Sequence, residues 1–221
     1  MECPTRWAGI GPWGLDMYKG FFFVFGFAAI AASGKAQVSA LINYPVADVL
    51  GHREFQLNQN FTSADSKLSG QYLQSQNYVL GLFDVAEVSG ITDFLGSHNF
   101  GLKFTPYRSK DEKFAFGFGW QGLSSDAVST FQYARYTVGS YNLHFGYQHD
   151  DEDRGVFGFD HAFSNQWGCS AEYAGNSTGS SAYSLFYTMK SGLVLQGIYT
   201  KPHDIGIDAN YTFVLSYTFR I

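Results

Sequence analysis

Five charged residues stand out in a chain that carries few: Lys103, Arg135, His144, Asp160 and Glu172. Each sits in a short segment of alternating residues, and four of them fall on the less apolar parity of that segment. The parity of Arg135 is open from sequence alone, because the stretch 129–138 has a mixed pattern. Read as strands in chain order, Arg135, His144, Asp160 and Glu172 come from four consecutive elements. They can therefore form one ladder of charge on a common wall, with Lys103 at a similar depth. Such a ladder has two physical uses. Paired internally, it makes a polar interior stable. Left facing water, it tunes what passes. The pattern favours the paired lattice.

A second constellation is defined by size. Ala115, Gly117 and Gly119 alternate with Phe114, Phe116, Phe118 and Trp120. Small residues on one face leave room for a water path or a ligand groove. They equally leave room for an inserted segment, or for tight strand curvature at glycines. A third candidate is "QHDDED", Gln148 to Asp153. Carboxylate oxygens suit Ca²⁺, but this spacing matches no metal-binding loop, and a solvated acidic loop is the simpler reading. Covalent catalysis needs a nucleophile beside a base. Ser170 and His144 are the nearest approach, two strands apart with no motif linking them. His98, His149, His161 and His203 are scattered, and Cys3 and Cys169 are too few for a disulfide framework or a Cys-based metal site. No cofactor, no metal and no catalytic group is expected.

The elements that position these residues are strands. Phe, Tyr and Trp make up 19% of the chain and charged residues only 15%, with 25 glycines and 5 prolines. That is a low charge content for a soluble globular domain. The net charge is -5 and no basic run exists, which argues against nucleic acid as a partner. Period-two alternation recurs from Glu54 onward, in twelve segments that end with "YTFVLSYTFRI" (Tyr211 to Ile221). The apolar parity is rich in aromatics. The opposite parity is Gly, Ala, Ser, Thr and Asn with few charges. A water-exposed sandwich face would carry more Lys and Glu. The pattern predicts an all-β, antiparallel, up-and-down transmembrane barrel of about twelve strands, apolar face outward. Tight connections around Val85, Gly139, Ser164–Gln166 and Lys190–Ser191 alternate with longer ones at Thr62–Ser75, Gly122–Ala127, Asp150–Arg154 and Lys201–Asp208. The connection over Pro106–Glu112 is longer than this rhythm requires, and the one near Gly96 is shorter.

Residues 1–36 read as a secretory signal peptide: the run Phe21–Ala32 is too short to span, and "SGKAQ" supplies a small-residue cleavage site. Met17, followed by Tyr-Lys-Gly and the apolar run, offers a second start. Residues 37–52 then form a periplasmic or plug segment, in which Pro45 disfavours a central strand, and residues 53–221 form the barrel.

The last strand resembles the closing strand of bacterial outer-membrane β-barrel proteins of porin-like type. Their final strand alternates aromatics, usually ends in Phe, and is read by the outer-membrane insertion machinery. Tyr217 and Phe219 are in that phase, while Ile221 departs from the terminal Phe. A narrower resemblance lies in "NYPVADVLGHREFQL" (Asn43 to Leu57), similar to the "N-x-P-T-A-x-V-L" opening of certain barrels associated with exopolysaccharide export; Val46 stands where those have Thr. "NFGLKFT" and "SAEYAG" are also similar to that group. The resemblance implies the bacterial outer membrane, the lipid bilayer and the insertion machinery as partners, and a pore for passive or weakly selective transport of small solutes. The alternatives are a non-conducting structural or surface-polysaccharide assembly component and, third, an embedded enzyme.

Overall fold

A computed structural model describes residues 42, 44–63, 68, 72–93, 97–125 and 128–221. The expected signal peptide and the Met17 start lie outside the described residues. Twelve strands follow one another: β1 (Glu54–Ser63), β2 (Tyr72–Leu82), β3 (Ala86–Thr92), β4 (His98–Arg108), β5 (Phe114–Gln121), β6 (Ser129–Val138), β7 (Tyr141–His149), β8 (Asp153–Ala162), β9 (Trp167–Ala174), β10 (Ser180–Thr188), β11 (Leu193–Pro202) and β12 (Asn210–Arg220). Each pairs antiparallel with its chain neighbours, and β12 returns to β1 to close the barrel. The fold is that of a transmembrane up-and-down β-barrel.

Closure rests on the terminal alternation. Phe55 lies opposite Phe219 and Leu57 opposite Tyr217, and the register runs from Glu54↔Arg220 to Thr62↔Thr212. The Phe55 and Phe219 rings meet at 5.3 Å. Ile221 adds one further bond, its N–H donating to the Arg53 carbonyl at 2.9 Å. In hydrocarbon an open seam would leave a row of peptide groups without partners, at several kcal/mol each.

The aromatic parity points outward. Tyr183, Leu185, Tyr173 and Phe145 are 57, 49, 51 and 48% exposed, while Lys103 and Glu87 on the other parity are 3 and 5%. Outward tyrosines mark both ends of the wall. Tyr147, Tyr173, Tyr183, Tyr199 and Tyr211 stand near the ends of strands that carry the longer loops. Tyr136, Tyr141, Tyr187 and Tyr217 stand near the opposite, tight-turn end, and residues such as Phe116, Phe145, Leu185 and Leu215 lie between. Outward tyrosines are thus found toward both ends of the wall.

Three local features set the ends. Pro106 falls inside β4 rather than in a connection. The register with β5 shifts between Phe104 and Tyr107, and this irregularity takes up a residue that has no N–H to give to the ladder. The connection shortens accordingly to 109–113. At the β2–β3 turn, Phe83 and Asp84 both adopt positive φ (57° and 60°). The strain is held by His52: the Phe83 N–H donates to His52 Nδ1 at 3.1 Å, and Asp84 accepts from the His52 N–H at 2.6 Å. Gly139 supplies the positive φ (62°) of the β6–β7 turn without that penalty.

Candidate functional site

The interior holds a piece of the chain itself. Tyr44 and residues 46–50 are buried, and their partners are inward-facing side chains of the barrel wall. The Leu50 N–H donates to Glu87 Oε2 (3.2 Å) on β3. The Thr105 hydroxyl donates to the Ala47 carbonyl and Arg108 Nη2 to the Val49 carbonyl (3.4 Å), both from β4. Asp48 pairs with Arg135 (2.6 Å) on β6, and the Ile42 N–H donates to Glu172 Oε2 (3.1 Å) on β9. Tyr44 bonds Arg154 on β8. Gly51 then leads out at the tight-turn end, its N–H capped by Glu54 Oε2 at 2.8 Å. A segment without regular structure has unpaired peptide groups, and the wall supplies charged and hydroxyl partners for several of them.

The charged residues divide among several pairings. Lys103 Nζ meets Glu87 Oε1 at 2.8 Å, both side chains almost fully enclosed. Arg135 points inward, which resolves its parity. Besides its ion pair with Asp48 it donates to the Glu112 carbonyl (3.0 Å) and to the Thr137 hydroxyl. Thr137 donates to Asn142 Oδ1 (2.7 Å), Asn142 donates to Asp160 Oδ1 (2.8 Å), and His144 Nε2 meets Asp160 Oδ2 at 2.7 Å. Arg135, His144 and Asp160 therefore belong to one connected network. Lys103 belongs to a separate pair, and Glu172 faces the inner segment. Ser170 bonds Ser184 (2.6 Å) rather than His144. Glu87 and Asp48, the partners of Lys103 and Arg135, are residues that sequence reading did not single out. Glu87 lies in the short, weakly alternating β3, and Asp48 in a stretch with no period at all.

Ala115, Gly117 and Gly119 line the inner face of β5. A Cβ on Gly117 would lie 3.0 Å from the Ala47 carbonyl oxygen, and one on Gly119 would lie 2.6 Å from the Phe131 ring. Phe131 and Tyr133 face inward from β6, at 3 and 1% exposure, and pack with Tyr44, Ala47 and Ala115. The mixed pattern of β6 is thus an inverted one, with aromatics inside where β5 is smallest. The usable signal was the glycine row on the strand it pairs with.

Outside the wall, the acidic β7–β8 loop is internally bonded. Burial pulls the Asp150 carboxyl upward, but the Glu152 N–H, Arg154 and Gln148 more than offset it and hold it below the usual carboxylate range. At the tight-turn end Asp111 is lowered by the Ser109 hydroxyl and the Lys113 N–H. Among the described residues no group of three or more His, Cys, Asp or Glu is disposed to hold a metal ion.

No protein-family model matches the chain, and no curated protein does. Among solved structures the barrel is similar to the KdgM porin, with a TM-score of 0.56 and 10% identity over 75% of this chain and 99% of that one. The same porin in complex with disordered oligogalacturonate gives a TM-score of 0.56 and 10% identity over 76% and 99%. A structure from work on in-meso crystallization of membrane proteins gives 0.51 and 9% over 76% and 84%. At these identities the likeness is one of fold.

Proposed function

We propose that the chain is a pore of the bacterial outer membrane for small hydrophilic solutes, with residues 42 and 44–50 seated in its bore. The observation that carries this reading is the contrast between the two faces of one closed wall. The outer face is aromatic and apolar between two tyrosine girdles, and the inner face is polar, with buried ion pairs. A wall of this kind separates hydrocarbon from an aqueous or polar interior. The loop end faces outward, and both ends of the barrel domain meet at the periplasmic side. β12 presents Tyr217 and Phe219 to the insertion machinery. His144, Arg135 and Asp160 act as a lattice that fixes the wall, and no catalytic role is assigned to them.

The oligogalacturonate of the KdgM complex is a polyanion. The same cargo would require free cations here, yet Lys103, Arg135 and Arg154 are each paired with an acid and Arg108 donates to the Val49 carbonyl of the inner segment. A second reading, a non-conducting barrel, draws support from the burial of Tyr44 and residues 46–50. Planar-bilayer recording separates the two. The chain from residue 37 onward is expected to give discrete conductance steps, and removal of residues 37–50 is expected to enlarge them. A heat-modifiable, folded barrel that never conducts in either form would leave the non-conducting reading standing.

A further inference from the structure

The lumen charges occupy one side only. Across β10, β11, β12, β1 and β2, the inward positions between the two rims carry no Asp, Glu, Lys, Arg or His. The first inward charges appear at the tight-turn rim, where Glu54 and Arg220 face each other across the seam. What this arc offers instead is amides and hydroxyls. Asn58 lies in register with Asn77. Asn60 Nδ2 donates to Ser75 Oγ at 3.0 Å, and the Thr62 and Thr212 hydroxyls meet at 2.9 Å. These side chains are half-buried rather than enclosed. Asn77 Oδ1 and Asn99 Oδ1, two strands apart, are enclosed and make no hydrogen bond, so neither oxygen is presented to the bore. Val214 and Ile198, both 8% exposed, sit on the same wall, so apolar and hydrogen-bonding surface alternate along it.

We infer that the solute for which this arc is built is uncharged and rich in hydroxyls, a saccharide or polyol, bound by Asn58, Asn60 and Ser75. The inference rests on the pore reading and narrows it. A hydroxyl both donates and accepts, so it can bond an amide or another hydroxyl in either sense, and the C–H face of a sugar ring suits the interposed aliphatic groups. An ion would gain less from such a wall, because neutral dipoles without an opposite charge offset its lost hydration only in part. The bonds that the arc already makes are neutral side-chain pairs. Exchanging them for bonds to a solute costs little net free energy.

The test uses the chain from residue 37 onward in liposomes, with three solutes of nearly equal size: glucose, glucuronate and glucosamine. Glucose is expected to drive swelling fastest, by roughly tenfold over either charged sugar, the equivalent of about one hydrogen bond. Asn60→Asp is expected to shift preference toward glucosamine and to make the pore cation-selective. Asn60→Ala, which adds no charge, is expected to slow glucose without altering ion selectivity. Faster entry of glucuronate or glucosamine through the unaltered chain would overturn the inference. So would potassium chloride conductance without sugar entry, which leaves the pore reading intact. Absence of both sugar entry and conductance would remove the pore reading and this inference with it.

Discussion

The two sides of the barrel wall solve the problem of a polar interior differently. From β3 to β9 the inward side chains include Glu87, Lys103, Arg135, His144, Asp160 and Glu172, and they reach the inner segment or one another. From β10 round to β2 the wall between its rims is uncharged, and its polar groups bond across to the next strand: Gln56 to Ser216, Gln196 to Ser184. Charge, in this molecule, marks the side that holds a segment of the chain. A charge taken from water needs a strong partner, and a segment without its own ladder needs strong acceptors and donors. Each supplies what the other lacks. The uncharged arc has no such obligation, and its groups stay free to exchange partners.

The largest expected effect tests that division directly. Glu87→Ala would leave Lys103 buried without its carboxylate and free the Leu50 N–H, so the cost should be about 3–5 kcal/mol. It is read as a lowered urea-unfolding midpoint in detergent. Ser216→Ala, on the arc, removes one neutral bond from Gln56 and should cost about 0.5–1.5 kcal/mol. Replacing Glu87 and Lys103 together by Met should recover most of the loss, since no charge is then stranded. Equal costs for Glu87→Ala and Ser216→Ala would dissolve the contrast.

A smaller effect is expected from volume alone. Gly117→Ala brings a methyl within 2.9 Å of the Phe104 carbonyl oxygen and 3.0 Å of that of Ala47. Backbone on both sides must give, at about 1–3 kcal/mol. Gly197, outward on β11, has nothing within 4 Å of an added Cβ, so Gly197→Ala should fall within about 0.5 kcal/mol of the parent. The two variants are compared by the temperature at which the folded band converts on a gel. Conversion at one common temperature would mean that the inner segment does not press on β5.

The strand count, the phase of the faces and the closure at Tyr217 and Phe219 were readable from sequence because each is a local, period-two property. Pro106 was misplaced because proline signals a loop unless a register shift absorbs it, and that shift depends on β5. The partners of the charged residues were not readable. Lys103 finds Glu87 on the adjacent strand, which a careful pairing of β3 with β4 would have suggested. Arg135 finds Asp48 in a segment whose path through the barrel leaves no periodic trace. Phe131 and Tyr133 face inward against their apolar rank, because Gly117, Gly119 and Gly146 leave the space across the strands. A single-strand pattern cannot show what its neighbour lacks.

The smallest expected effect lies at the loop-end rim of the charged side. Asp150 accepts from Arg154 Nη2 at 2.6 Å, from the Glu152 N–H at 3.1 Å and from Gln148 at 3.1 Å. Its carboxyl is held below the ordinary value, since these donors outweigh the opposing effect of burial. A depressed carboxyl contributes stability that is fully present above its unfolded value, near pH 4, and is lost as pH falls through the lower folded value. Asp150→Asn carries no charge at any pH. The parent should therefore exceed the variant by up to about 1 kcal/mol at pH 6, and the gap should close as the pH falls through the lowered folded value. Limited proteolysis of the 150–152 loop in detergent reads this locally, without requiring the barrel to unfold. No gap at either pH would mean that Arg154 relies on Tyr44 instead. The inner segment would then hold this rim as it holds the rest of the charged wall.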